Sequence, residues 1–113
     1  MLGGELITGT RPKVSNPDDR ITSRVDEDTQ DTTDAIRDQI VLGRALRELR
    51  DKAGLTQGEL AARMGIDLTY VSRVERGKRG VRWHTVLRFL RALDAKLGEL
   101  TAAVEKHERL LRS

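Results

Sequence analysis

From residue 34 onward, apolar residues recur at steps of three and four. Ile36, Ile40, Leu42, Leu46, Leu49 and Ala53 keep the helical period, which predicts an amphipathic helix over 35–53. Thr33 or Asp34 suits its N-cap, and Gly54 stands where a helix closes on a left-handed residue. Thr56-Gln-Gly-Glu59 has the reciprocal spacing of a capping box, which predicts a helix over 57–64 ending at Gly65. Asp67 is placed to cap another over 68–76, ending at Gly77. After the loop Lys78-Arg-Gly-Val-Arg82, Val86, Leu87, Leu90 and Leu93 mark a helix over 83–93. A last helical stretch covers about 96–112. No alternation of the strand type occurs, so the fold class is all-α, with five helices.

Residues 1–33 contrast with this. They hold both prolines and almost no apolar periodicity, so they bury too little apolar area to offset ordering entropy, and a disordered arm is expected. The domain organisation read from the sequence is therefore an arm over 1–33, a folded domain over 34–100 and a C-terminal helical extension over 101–113.

Composition narrows the functional classes. Hydrophobic residues make up 37% of the 113 residues and charged residues 35%, against about 25% charged in an average domain. The core must be small and, with only Trp83, Tyr70 and Phe89 as aromatics, aliphatic. The absence of cysteine excludes disulfides, thiolate zinc sites and cysteine nucleophiles. No apolar run approaches the roughly 18 residues of a membrane span, and the first residues lack a signal-peptide pattern, so a cytoplasmic protein is expected. The net charge of +3 is unevenly spread: residues 1–34 carry four basic and eight acidic side chains, and residues 35–113 carry 17 and 10. A basic domain behind an acidic tail fits a nucleic-acid binder; a solvated surface is the plain alternative. Within the arm, Arg20 and Arg24 suit a DNA groove, but the acidic run Asp26–Asp34 opposes phosphate.

The two short central helices carry the functional reading. Ala61 has to be small where the next helix crosses close, and Gly65 has to turn the chain through a positive φ. Val71 and Val74 share one face of the helix over 68–76 and should be buried. Leu68, Thr69, Ser72 and Arg73 are then left outward. A buried inner face and a polar outer face on a short second helix suit insertion into the major groove.

The segments Gly54-Leu-Thr-Gln-Gly-Glu-Leu-Ala-Ala-Arg-Met-Gly65 and Tyr70-Val-Ser-Arg-Val-Glu-Arg-Gly77 carry a resemblance. Residues 42–100 resemble the Cro/phage-repressor, or XRE, helix-turn-helix domain. The resemblance implies a five-helix, lambda-repressor-like domain that binds double-stranded DNA. It implies that Leu68, Thr69, Ser72 and Arg73 face base edges, with Arg73 suited to bidentate contact with guanine. It implies that Gln57, Tyr70, Arg76, Lys78, Arg79 and Arg82 meet the DNA backbone, Gln57 at a helix start that suits phosphate. It further implies a partly buried ion pair between Arg50 and Glu75. The chain departs from the family in Gly80-Val-Arg-Trp-His84, where many relatives have proline or asparagine, and in its long N-terminal arm.

Other residues have plainer readings. Trp83 is expected to anchor its helix against the core, with stacking on a sugar as the alternative. His84 and His107 stand apart from metal-ligand spacing, so no metal or cofactor is expected. Glu59 and Glu75 are accounted for by capping and ion pairing, and no catalytic set accompanies them, so the chain does not read as an enzyme. Leu90, Leu93, Leu97, Leu100, Val104, His107 and Leu111 form an a/d seam. Pairing of two chains through Leu97, Leu100, Val104, His107 and Leu111 is the expectation; packing of Leu90–Leu100 within one chain is the alternative.

The functional expectation is a homodimeric transcriptional regulator, a repressor on a palindromic operator. The alternative is an antitoxin, with residues 1–34 wrapping a toxin or other protein partner. A coactivator using the fold for protein contacts alone would have a neutral or acidic face where this chain has Arg73, Arg76, Lys78 and Arg79.

Overall fold

The computed structural model describes residues 17–112, with side chains from residue 32 onward. The chain divides into two units, 1–34 and 35–113. Five helices and no strand occur among the described residues: α1 Pro17–Lys52, α2 Gln57–Met64, α3 Leu68–Glu75, α4 Trp83–Leu93 and α5 Leu97–Arg112. None is long and apolar enough to cross a membrane.

Four of the expected helices lie within a residue of their expected bounds. The first does not: α1 begins at Pro17, so residues 17–33, expected without structure, have helical backbone and Thr33 and Asp34 lie within a helix rather than at its cap. The sequence permits this. Proline at the first helical position gives up only an N–H that has no intrahelical partner, Asp18 and Asp19 suit the positive end of the helix dipole, and no further proline or glycine occurs before Gly43. Residues 1–16 of the expected arm lie outside the described residues.

The core is aliphatic around one aromatic ring. Ala45, Leu46 and Leu49 of α1 meet Leu60, Ala61 and Met64 of α2, Val71 and Val74 of α3, Val86, Phe89, Leu90 and Leu93 of α4, and Leu100 and Ala103 of α5. Val41 is buried too, whereas Ile36 is exposed, so the inward stripe of α1 is set at Val41, Ala45 and Leu49. Close approach of α1 to the end of α3 occurs at Gly43. A Cβ there would lie 2.2 Å from the Val74 carbonyl oxygen and 2.9 Å from that of Glu75, so glycine alone fits.

The caps behave as the residues require. The Thr56 hydroxyl accepts from the Glu59 amide at 3.0 Å, and the Glu59 carboxylate accepts from the Thr56 amide at 2.8 Å. Asp67 Oδ1 accepts from the Thr69 amide at 2.7 Å. Gly65 takes φ 67° and turns the chain from α2 toward α3. Two arginines tie α2 to α4: Arg88 donates to the Met64 carbonyl at 2.6 Å and Arg63 to the Ala92 carbonyl at 3.1 Å. These guanidiniums satisfy carbonyls that a helix end leaves without partners.

Candidate nucleic-acid interface

Helix α3 has two unlike faces. Val71, Val74 and Glu75 are buried, while Leu68, Thr69 and Arg73 are exposed and Ser72 is half-buried. The geometry thus leaves outward the four residues that the sequence pattern assigned to base edges, Ser72 least of them. Arg76, Lys78, Arg79 and Arg82 continue this surface and are all exposed. No carboxylate pairs with any of them in the ion pairs found among the described residues. Arg76 donates instead to the Ser72 carbonyl at 3.3 Å. Arg79 lies over the half-buried Tyr70 ring, 5.0 Å from its centroid, so cation and ring hold each other in place.

Beneath this surface lies a buried polar network. Arg50 donates from Nε to Glu75 Oε2 at 2.6 Å and from Nη2 to Glu75 Oε1 at 2.9 Å. A third donor of Arg50 reaches the Leu55 carbonyl at 2.8 Å. The hydrogen bond and charge of Glu75 hold the Arg50 guanidinium above its ordinary value, against the opposing effect of burial. Gln57 Nε2 also donates to Glu75 Oε1, at 2.9 Å. The resemblance implies that both the side chain and the amide of Gln57 hold a phosphate; here the side chain is engaged within the chain. The side-chain amide of Gln57 is turned inward to a carboxylate that needs donors once desolvated, which leaves its main chain at the helix start for an outside anion.

Two further residues differ from expectation. Trp83 does not anchor α4 against the core; it is 60% exposed. It shares the helical stripe of Val86, Leu87 and Leu90 but lies one turn beyond the reach of the core. His107, expected in the seam between chains, points its ring to its own chain. Its Nε2 lies 2.9 Å from Glu48 Oε1, and Lys106 donates to the same oxygen at 3.1 Å. Of the other seam residues, Leu100 is buried, Val104 and Leu111 are half-buried, and Leu97 is 44% exposed. Leu110, outside the expected seam, is exposed. Nothing in the spacing signalled the clasp of Glu48, because its partners lie 58 and 59 residues away.

The family model described as "Helix-turn-helix domain" matches residues 41–104. The chain belongs to the helix-turn-helix domain family. The matched residues run from the C-terminal part of α1 through the first half of α5, so both central helices lie in the family domain.

The control protein C.MunI of a Mycoplasma species is 36% identical over 69 residues, which cover 60% of this chain and 93% of that protein. The crystal structure of the restriction-modification controller protein C.AhdI from Aeromonas hydrophila superposes with a TM-score of 0.54 at 44% identity. It covers 57% of this chain and 97% of that one. The clp gene regulator ClgR from Corynebacterium glutamicum superposes with a TM-score of 0.59 at 29% identity, over 61% of this chain and 88% of that one.

Proposed function

We propose that this helix-turn-helix protein is a sequence-specific transcriptional regulator in the cytoplasm that occupies operator DNA as a homodimer and represses by occupancy. The observation that carries this is the two-faced α3, buried through Val71 and Val74 and outward through Leu68, Thr69 and Arg73. A helix of that build enters the major groove. Leu68, Thr69, Ser72 and Arg73 read base edges. Tyr70, Arg76, Lys78, Arg79 and Arg82 hold the backbone, joined by Gln57 through its main-chain amide.

Each copy pairs with its partner through α5. Leu97, Val104 and Leu111 supply the contact together with Leu110, while Leu100 and His107 serve their own chain. The named roles of the relatives, a control protein, a restriction-modification controller and a gene regulator, support gene control over the antitoxin reading.

Selection of bound duplexes from a random pool tests the reading. The expected outcome is a two-fold symmetric consensus with half-sites about one helical turn apart, together with a dimer in sedimentation. Retention of duplex without an enriched sequence overturns sequence reading, and no retention at low salt overturns DNA binding.

A further inference from the structure

The most exposed large hydrophobic side chain among the described residues is Trp83, at 60%. It also stands in unusual company. The stretch Arg76-Gly-Lys-Arg-Gly-Val-Arg-Trp-His84 holds four fixed cations within nine residues, all exposed and none paired with a carboxylate among the described residues. Local contacts hold the stretch in place. A Cβ on Gly77 would lie 2.8 Å from Ile40 Cγ1, and one on Gly80 would lie 3.1 Å from the Gln39 amide. Val81 packs half-buried against the core. Trp83 follows at once, as the first residue of α4, and Thr85 in the same turn lines an open cleft with Asp67, the N-cap of α3, and Tyr70 within it. Trp83 thus opens α4 directly after the basic loop, in the same helical turn from which Thr85 reaches that cleft.

Exposing an indole forgoes the stabilisation that burial of a large apolar side chain provides. What covers it has to suit an apolar ring with one N–H donor, embedded in uncompensated positive charge. A second protein surface of ordinary composition suits the ring but not the charge. The backbone of duplex DNA suits both: deoxyribose offers an apolar face, and the neighbouring phosphates offer acceptors and negative charge.

We propose that Trp83 is a DNA-positioning residue, its ring packed on a deoxyribose and its Nε1–H directed to a phosphate beside the cations of the 76–82 loop. This rests on the DNA-binding reading and adds an uncharged, non-base contact to it. Trp83 sets how α4 rests on the backbone and thereby the register of α3 in the groove.

The chain's single tryptophan makes the contact directly observable. The full-length protein is titrated with a mixed-sequence linear duplex, following indole emission and acrylamide quenching. Anisotropy of a fluorescein-labelled copy of the duplex reports binding independently. Trp83 emission is expected to change, and the indole to become shielded from acrylamide, in step with the anisotropy. Trp83→Ala is expected to weaken binding about three- to tenfold, from the size of an aromatic packing contact. Because no charge is removed, the slope of affinity against salt stays that of the parent. Trp83→Phe recovers part of the affinity and keeps the fold.

Binding by anisotropy with unchanged emission and quenching overturns the proposal and leaves the DNA reading standing. Shielding that depends on protein concentration without duplex also overturns it, in favour of a contact between copies. Absence of binding in the anisotropy channel at low salt overturns the DNA reading and the proposal together.

Discussion

Arg50 of α1 and Glu75 of α3, 25 residues apart, meet side-on through two hydrogen bonds of 2.6 and 2.9 Å. Only 8% and 6% of the two residues remain exposed. The pair fixes the end of the outward-facing helix to the longest helix of the chain. Arg50→Ala leaves a desolvated carboxylate with only Gln57 as donor and is expected to cost about 3–5 kcal/mol of stability. Replacing both partners, as Arg50→Met with Glu75→Leu, should cost much less than the sum of the single changes. Urea unfolding of the four proteins closes the cycle; additive effects would show that the pair is not a unit.

Gly43 is expected to resist even alanine. The added Cβ falls on the backbone oxygen of Val74, and backbone cannot swing aside as a side chain can. Gly43→Ala should therefore destabilise by about 1–3 kcal/mol, as overpacking does, despite the better helix propensity of alanine. Gly98 is the control. It lies in α5 with nothing within 4 Å of an added Cβ, so Gly98→Ala should stabilise by about 0.5–1 kcal/mol. Thermal unfolding of the two variants, with opposite signs, checks both.

Glu48 gives the fold a defined acid sensitivity. The hydrogen bond from Lys106 holds its carboxyl below the ordinary value of 4.5, aided by His107 and Lys52 and opposed by desolvation. Arg44, Arg47 and Asp51 line the same groove. A lowered carboxyl binds fewer protons in the folded state than in the unfolded one, so stability rises with pH in this window. The contribution is fully present above 4.5 and disappears as pH falls through the lowered folded value. Glu48→Gln should cost less than about 1 kcal/mol at neutral pH, since both lysines of the cluster are exposed to solvent, and should flatten the acid limb of a urea-midpoint profile. An unchanged acid limb would show that the clasp does not hold α5 to α1.

Arg73 and Lys78 separate base reading from backbone holding. Arg73 projects from the outward face of α3, and a bidentate guanine contact there gives about 1–3 kcal/mol of discrimination. Arg73→Ala should weaken the selected operator more than scrambled duplex and relax the preference at one base pair per half-site. Lys78→Ala should weaken both duplexes about equally. It should also lower the salt slope by roughly one for each phosphate left without its lysine, or about two in a symmetric dimer. Affinities for both duplexes across a salt series decide it. An equal weakening on both duplexes for Arg73→Ala would remove that residue from the base-reading set.

What the chain says by itself is local. Thr56 with Glu59, Asp67 before Thr69, and Gly65 between two short apolar periods each depend on neighbours within a turn, and the caps and the turn lie where those residues put them. The outward set Leu68, Thr69 and Arg73 follows from the same period, because on a short helix the buried valines decide which way the rest face. Tertiary structure decided what depends on distant partners. Gly43 is required by carbonyls in another helix, and Glu48 meets Lys106 and His107 from the far end of the chain. Gln57 turns inward because Arg50 alone leaves acceptor capacity on a buried Glu75. Trp83 carries the right spacing for the core yet stands outside it, since periodicity gives the direction of a side chain but not where its covering neighbours end.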